Sequence, residues 1–158
     1  MGILHIGIEP SPLEFSCLEK NVYPSKPINM GLWKDENHLD FYVSSHYADS
    51  SFIKPSSKFT EIIRIPTNRL DAIFSGNIKL LKLEAEGAEP EVIDGCQNLL
   101  PYIQYISADL GFERGIAQDS TFPAVANFLY ENNFEMLRIG EARVGALFKN
   151  KKLKSFDN

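Results

Sequence analysis

The sequence has few of the residues that build disulfide frameworks and metal centres. Its 158 residues include two cysteines and three histidines, and His5, His38 and His46 lack the spacing and the cysteine partners of a zinc site. Cys17 and Cys96 lie in separate apolar patterns, so we expect both to be small buried hydrophobic residues. These absences predict no metal and no disulfide, and they favour a reducing cytoplasmic setting.

Long apolar runs and an excess of positive charge are also missing. No stretch approaches the roughly 20 apolar residues that span a bilayer, and the N-terminus lacks the pattern of a secretory signal. Sixteen basic residues face 21 acidic ones, for a formal charge of −5, whereas non-specific nucleic-acid binding needs a basic face. We therefore expect a cytoplasmic protein that binds neither membranes nor nucleic acids.

What the sequence does contain is an alternation of strand and helix patterns over residues 1–158, which predicts a single domain. Apolar runs predict strands at Ile3–Ile8, Ile28–Trp33, Leu39–Val43, Thr60–Ile65, Ile78–Leu83, Ile103–Ala108, Phe134–Ile139 and Ala146–Lys149. This alternation predicts an α/β, Rossmann-like fold with a mostly parallel sheet. The last two strands form an antiparallel hairpin. The strands at Leu39–Val43 and Thr60–Ile65, on either side of a serine-rich loop, are expected to be antiparallel neighbours.

Three helices follow from local signals. Ser11, Pro12 and Glu14 are typical of a helix start with a capping box. Apolar residues from Val92 to Leu100 predict a helix that Pro101 closes, and Phe122–Tyr130 predicts another.

Carboxylates crowd the ends of the predicted strands. Glu84 and Glu86 follow the buried strand Ile78–Leu83, Asp109 ends the next one, and Glu9 ends the first. Ligands of open α/β sheets bind at the carboxyl ends of strands, so these acids indicate a polar small-molecule site. Structural alternatives stay open: a helix dipole stabilises an acid at Glu9, and Lys82 is one partner for a buried Glu84.

Arg114 follows the Asp109 strand on the expected ligand side. It is suited to gripping a carboxylate or a phosphate, or to pairing locally with Glu113 or Asp109.

Several segments together resemble the FkbM family of S-adenosylmethionine-dependent methyltransferases. They are Glu9-Pro10-Ser11-Pro12 with Asn21-Val22, Leu32-Trp33, Leu70-Asp71 and the run Leu81–Glu89. The last segment is the most specific, and the resemblance covers nearly the whole chain. It implies a class I Rossmann-like fold, S-adenosylmethionine as cofactor, and O-methylation of a hydroxyl on a small molecule or sugar.

The resemblance also implies roles for individual residues. Glu9 would hold the ribose hydroxyls of the cofactor, and Glu86 with Gly87 would shape the same pocket. Glu84, where the family usually has Asp, and Asp109 would lie near the acceptor as orienting group or general base. His46, in the serine-rich loop, would add a base if that loop folds over the site.

One departure from the family stands out. Members begin with a strand and a glycine-rich loop, and this sequence has no such segment before the Glu9 strand. In the family that strand lies mid-sheet, so we expect the Glu9 and Glu84 strands to pair directly, or a second chain, as in a homo-oligomer, to cover the gap. Cofactor affinity is expected to be weak or absent.

Two other functions remain open at this point. One is a catalytically inactive, truncated methyltransferase-like fragment or binding module. The other is an α/β domain for another nucleotide, such as a nicotinamide cofactor or a sugar nucleotide, which the Leu81–Glu89 segment disfavours. Titration with S-adenosylmethionine would separate them.

Overall fold

Seven strands, four α-helices and one 3-10 turn make up the residues described by the computed structural model, 4–25, 27–44, 49–140 and 143–153. In chain order they are α1 (Pro12–Asn21), β1 (Gly31–Leu32), β2 (Asn37–Ser44), β3 (Phe59–Asn68), α2 (Leu70–Ile73), β4 (Ile78–Leu83), α3 (Glu89–Asp94), the 3-10 turn (Leu100–Tyr102), β5 (Ile103–Asp109), α4 (Phe122–Glu131), β6 (Phe134–Ile139) and β7 (Gly145–Asn150).

The strands form two sheets. One has the order β4-β5-β7-β6 and the other has the order β1-β3-β2. The predicted C-terminal hairpin is confirmed, because β6 and β7 pair antiparallel. The predicted antiparallel pairing of β2 with β3 is confirmed as well.

The sheets are mixed, which corrects the prediction of a mostly parallel sheet. Among the described strands, β1 pairs parallel with β3 and β4 with β5, whereas the β2–β3, β5–β7 and β6–β7 pairings are antiparallel. The physical reason is connectivity, since a parallel pair needs a long crossover, usually helical, and no described residue between β2 and β3 or between β6 and β7 is helical. The α/β class itself stands.

The core lies where β4, β5 and β7 meet α3 and α4. Its members have almost no exposed surface and include Ile93, Ile106, Leu129 and Phe148. Strand β5 is central, with a β-strand on each side, and most of its residues are buried. The predicted bounds of β4 match the observed ones because Ile78, Leu80, Leu81 and Leu83 mark the strand, although Lys79 and Lys82 interrupt the apolar run.

The helix after β4 is shorter than predicted. It ends at Asp94, and a separate 3-10 turn follows at Leu100–Tyr102. Gly95 explains the break: a Cβ atom there would lie 2.2 Å from the Trp33 carbonyl oxygen, so the chain turns at a point of close backbone approach.

The two cysteines are free thiols with different surroundings. Cys96 is buried in the core as expected, and burial raises the pKa of its thiol to about 12. Cys17 is exposed on α1, which corrects the expectation that both would be buried, because α1 buries none of its side chains.

The first predicted strand is reduced to a single parallel bridge between Ile8 and Ile28 in the described residues; Ile3 lies outside them. β4 pairs with β5 only, and no described residue of the Glu9 segment pairs with it. The expected direct pairing is therefore wrong for the described part of the chain. Leu80, on the free edge strand, is 55% exposed. Among the described helices, none combines the length and the apolar character that a membrane span requires.

Candidate active site

A left-handed turn connects β4 to α3. Glu86 has φ +49° and Gly87 has φ +92°, a region that residues with a side chain rarely adopt. A Cβ atom on Gly87 would lie 2.7 Å from Cα of Arg114. The turn therefore packs directly on the backbone of the loop that follows β5, and only glycine fits at its centre.

Glu89 stabilises this turn through hydrogen bonds to its backbone. Its side chain is 1% exposed, and Oε1 accepts hydrogen bonds from the amides of Ala85 (2.8 Å) and Gly87 (3.3 Å). Its other oxygen, Oε2, is buried without a hydrogen-bond partner among the described residues. Glu89 therefore stabilises the turn through hydrogen bonds to two of its amides, in addition to lying in the first turn of α3, where a helix dipole favours an acid.

Arg114 fixes the turn from the other side. Its guanidinium donates to both oxygens of Glu91, at 2.7 and 2.8 Å, and to the Gly87 carbonyl at 2.6 Å. The expected local partners were Glu113 and Asp109, so the pairing with Glu91 is a correction. An arginine occupied in this way positions the turn, and two of its donors are already used on a carboxylate.

The charges of four other acids act on Glu86, three from the segments at the ends of β4 and β5 and one, Asp49, from the connection between β2 and β3. Burial raises the pKa of Glu86 to about 7, and the negative charges of Glu113, Asp49, Glu89 and Asp109 add to the effect. We call Glu86, Asp109 and Glu113 the acidic rim.

The rim acids influence one another. Burial and the charge of Asp109 raise the pKa of Glu113. Asp109 ends β5 and lies 3.6 Å from the guanidinium of Arg143. The neighbouring negative charges favour the protonated forms of Glu86 and Glu113 and so add to the rise in the pKa of each, and raised pKa values of this kind are common at functional sites.

Glu84 differs from the rim acids. Its side chain is 52% exposed and its carboxylate accepts a 2.8 Å bond from Lys82. The predicted Lys82 partner is thus confirmed, whereas the burial that made Glu84 conspicuous is absent. It also is not among the charges that raise the pKa of Glu86, and the left-handed turn ends the alternation of strand side chains before Glu86.

Glu9 forms a second polar position, beside the start of α1. Its Oε1 accepts from the amide of Ser11 at 2.8 Å, and Asn29 donates to its backbone carbonyl at 2.8 Å. Burial raises the pKa of the half-buried Glu9, the Ser11 N–H opposes this, and the charge of Glu14 adds to it. The predicted capping box is replaced: Glu9 takes the Ser11 amide, while the Ser11 hydroxyl donates to Glu14.

The charge of Asp109 acts on Glu86, and Gly87 follows Glu86 in the same turn. The hydrogen bonds described for Glu9 go to Ser11 and Asn29 and do not reach this turn. Sequence reasoning missed Ser51, whose hydroxyl donates to the Glu86 carbonyl at 2.7 Å. It also missed Asp49, which adds charge beside Glu86. Neither loop residue carries a periodic signal. His46 lies outside the described residues. Within them, no group of three or more His, Cys, Asp or Glu side chains is arranged to hold a metal ion.

Comparisons with known proteins agree on one family. A family model for the methyltransferase FkbM domain matches residues 1–136. The fold is similar to a crystal structure of methyltransferase FkbM from Methylobacillus flagellatus KT, with a TM-score of 0.60 and 12% identity. That match covers 91% of this chain and 36% of the other chain, so this chain spans about a third of that structure's length. No curated protein matches.

Proposed function

The chain belongs to the methyltransferase FkbM domain family, and from this premise we propose that it is an S-adenosylmethionine-dependent methyltransferase domain. The proposed reaction is O-methylation of a hydroxyl on a small molecule or sugar. The observation that carries the proposal is the pKa of Glu86, which is raised to about 7 in the acidic rim. A carboxylate tuned near neutral pH is suited to accept a hydroxyl proton.

Glu9 fits the ribose end of the cofactor. Its carboxylate is half-buried, only its Oε1 atom bonds to Ser11, and burial raises its pKa. Its second carboxylate oxygen would accept hydrogen bonds from the vicinal hydroxyls of a ribose, and these bonds would offset the desolvation cost of the half-buried carboxylate. For the methionine end, the described residues contain no glycine-rich turn that opens a helix. Bound cofactor would supply an electrophilic methyl group, and Glu9 would hold its ribose.

The acidic rim would act on the acceptor. Methyl transfer depends mostly on alignment of the acceptor oxygen, with a proton to be removed from it. Glu86 would take that proton, and Asp109, held near Arg143, would orient the hydroxyl. Glu84 remains an orienting group at the solvent side, next to Lys82. Gly87 would shape the pocket through the conformation of the turn, because the space where a side chain would project is occupied by the Arg114 backbone.

Ligand-observed NMR with S-adenosylhomocysteine tests cofactor binding, since it detects millimolar affinities. We expect saturation transfer with the parent chain. Glu9→Gln should weaken binding roughly tenfold, or about 1.4 kcal/mol. Glu19→Gln, which removes an exposed acid from α1, is the matched control. Absence of binding by the parent chain would remove the methyltransferase proposal.

The rim is tested separately by methyl transfer from labelled S-adenosylmethionine to polyhydroxylated acceptors. We expect kcat to rise with pH through about 7 as Glu86 ionises, and Glu86→Gln to abolish that rise. Asp109→Asn should lower kcat more than Glu84→Gln does. Equal rates in all three variants and the parent would exclude the rim as the proton-accepting site.

We also propose that a second copy of this chain covers the free edge of β4. Leu80 on β4 is 55% exposed, and Leu4 and Ile6 in the Glu9 segment are 78% and 40% exposed. The Glu9 segment and β4 both contact the same core, the first through Ile8 and the second through Leu81. Exposed apolar edges pair with other chains. Light scattering should give a dimer mass that Leu80→Lys shifts toward the monomer; a monomer for the parent would contradict this.

A further inference from the structure

Negative charge reaches the acidic rim from several separate segments of the chain. Glu86 lies in the turn after β4, Asp109 ends β5, Glu113 lies in the loop after β5, and Asp49 lies between β2 and β3. The charges of the other three acids all act on Glu86. Segments that are distant in the sequence therefore converge on one strongly negative position.

Contacts with the backbone hold these acids in place. The Ser51 hydroxyl donates to the Glu86 carbonyl at 2.7 Å, which ties the segment of Asp49 to the turn. The Glu113 carboxylate lies against Gly111, where a Cβ atom would be 3.0 Å from Oε1 and 3.2 Å from Oε2 of the glutamate. Glu113 therefore folds back toward the end of β5.

A buried carboxylate oxygen without a partner lies next to the rim. Glu89 is 1% exposed, and its Oε1 accepts from the amides on either side of Glu86, those of Ala85 and Gly87. Its Oε2 has no hydrogen-bond partner among the described residues, and the charge of Glu89 acts on both Glu86 and Glu113. Because an unpaired buried carboxylate oxygen destabilises a protein, this atom indicates a positively charged ligand.

The nearby arginines leave much of this negative charge unneutralised. Arg114 is attracted by Glu89, yet its described hydrogen bonds go to Glu91 and to a backbone carbonyl. Arg143 lies 3.6 Å from Asp109, but its side chain is 85% exposed, so solvent screens this pair. In the described part of the chain, no group of three or more acids is arranged to hold a metal ion, which favours a larger, organic cation.

The loop that carries Glu113 also exposes apolar surface. Phe112, directly before Glu113 in the sequence, is 63% exposed, and Ile116 is 68% exposed. A phenylalanine ring attracts an ammonium group and packs against the carbon skeleton that bears it. This loop is therefore suited to an organic cation that has an apolar portion.

We propose that the acidic rim selects an acceptor that carries an ammonium group close to its hydroxyl, that is, an amino alcohol, an assignment that rests on the proposed methyltransferase function. Glu113 would bind the ammonium group, next to the unpaired oxygen of Glu89. Glu86 and Asp109 would keep their proposed roles at the hydroxyl. A carboxylate bonds more strongly to an ammonium group than to a neutral hydroxyl, and the charge of the ligand would offset the repulsion among the acids.

A matched pair of ligands tests the charge. Phenylethanolamine and phenylethylene glycol have the same carbon skeleton, and the ammonium group of the first replaces a hydroxyl of the second. Both are titrated into the chain at pH 7 and about 20 mM salt, with saturation transfer to the ligand as the readout. We expect the amino alcohol to bind at least about tenfold more tightly than the diol. Raising the salt to about 500 mM should weaken binding of the amino alcohol alone.

Variants of Glu113 separate its charge from its shape. Glu113→Gln should reduce the preference for the amino alcohol to about threefold or less, whereas Glu113→Asp, which keeps the charge, should retain most of it. Because Glu113→Gln removes a charge that repels Asp109, its thermal midpoint should be no lower than that of the parent. Glu131→Gln, at an exposed position at the end of α4, changes the net charge equally and should bind both ligands as the parent does.

Four results would overturn the assignment. They are absence of amino alcohol binding up to about 50 mM, equal affinity of the parent for the two ligands, an unchanged preference in Glu113→Gln, and an equal loss of preference in Glu113→Gln and Glu131→Gln. The last result would mean general attraction of a cation to an acidic protein.

Failure of this assignment and failure of the proposed function are distinguishable, because ligand binding does not need methyl transfer. Selective binding of the amino alcohol without S-adenosylhomocysteine binding would refute the methyltransferase proposal, and the reverse would refute the amino alcohol. If both bind, kcat should rise at a lower pH with the amino alcohol than with the diol, since a nearby ammonium group favours the ionised form of Glu86. Rises at the same pH would contradict a cation held beside Glu86.

Discussion

Arg114 and Glu91 form a two-pronged ion pair, with both guanidinium-to-carboxylate distances at 2.7–2.8 Å. The same guanidinium bonds to the Gly87 carbonyl. The loop after β5 is thereby tied to the start of α3 and to the turn that carries Glu86. The shape of the acidic rim depends on this one arginine, although the arginine does not belong to the rim.

Arg114→Lys should destabilise the chain by about 1–2 kcal/mol. Lysine keeps the charge but cannot make the parallel bonds to Glu91 while also reaching the Gly87 carbonyl. Urea unfolding measures the change. The matched control is Arg138→Lys, at an exposed position on β6, which should stay within about 0.5 kcal/mol of the parent. An equal loss of stability in both variants would mean that the two-pronged ion pair between Arg114 and Glu91 does not stabilise the chain.

Gly87→Ala should destabilise the chain by about 2–4 kcal/mol, because its Cβ would meet the Arg114 backbone and its φ of +92° is strained for alanine. Gly76→Ala is the control that separates these causes. Gly76 also has a positive φ, but its Cβ would meet only the Phe74 ring, at 4.0 Å. The midpoint of thermal unfolding should be well below that of Gly76→Ala for Gly87→Ala. Similar midpoints in the two variants would mean that the contact with the Arg114 backbone contributes little to the loss of stability.

Glu86 should make stability fall as pH rises from about 4.5 to 7. Its folded-state pKa is about 7, above the ordinary 4.5, so the folded chain holds the extra proton in this window. The favourable contribution is complete below pH 4.5 and is lost as pH passes 7. Solvent screening of this half-buried group reduces the cost to about 1–2 kcal/mol.

Unfolding of Glu86→Gln and the parent at pH 5 and pH 8 measures this. At each pH the unfolding free energy of Glu86→Gln is compared with that of the parent. We expect this difference to be about 1–2 kcal/mol more favourable to the variant at pH 8 than at pH 5. Glu135→Gln removes the same charge from an exposed site on β6 and should show no such gain. A pH-independent difference for Glu86→Gln would contradict the raised pKa.

Asp71 should make the stability of the chain fall as pH decreases, which is opposite to the pH dependence expected from Glu86. Its nearly buried carboxylate accepts two 2.7 Å bonds from Arg69 and one of 2.9 Å from the Asn98 amide. These bonds, led by the one from Arg69, lower its pKa. The stabilisation is present above the ordinary pKa of 3.8 and is lost as pH falls through the lower folded value.

Asp71→Asn should therefore cost about 2 kcal/mol at pH 7, and the difference should narrow below pH 4. Denaturant unfolding across pH 2–7 measures it. Asp35→Asn, at an exposed position, should change little at any pH. A difference between Asp71→Asn and the parent that persists unchanged to pH 2 would rule out the charged bonds as its source.

The sequence predicted those features that depend on local pattern. The bounds of β4 follow from the apolar residues that begin and end it, Ile78 and Leu83, and Asp109 and Glu86 were placed at strand ends by similar reasoning. The partner of Arg114 was out of reach, because Glu113 and Asp109 are close to it in the sequence whereas Glu91 lies 23 residues away and is brought to it only by the fold. The Ser51–Glu86 bond spans 35 residues, and nothing periodic marks a serine in a polar loop.

Charge environment was the least predictable property of the site. Glu84 and Glu86 are two residues apart and chemically identical, yet one pairs with Lys82 in solvent while burial raises the pKa of the other. The difference arises from the turn geometry at Glu86 and from acids that approach it along other segments, such as Asp49 and Glu113. Sequence spacing holds no information on either.

The contrast between the two thiols has a practical use. At neutral pH the core thiol of Cys96, with a pKa of about 12, is closed to alkylating reagents, whereas Cys17 is exposed on the helix that begins three residues after Glu9. A maleimide dye would thus attach to α1, the helix that follows Glu9, without mutagenesis. With Trp33, the sole tryptophan of the sequence, as a second, intrinsic fluorophore next to β1, the unaltered chain provides two separate optical signals.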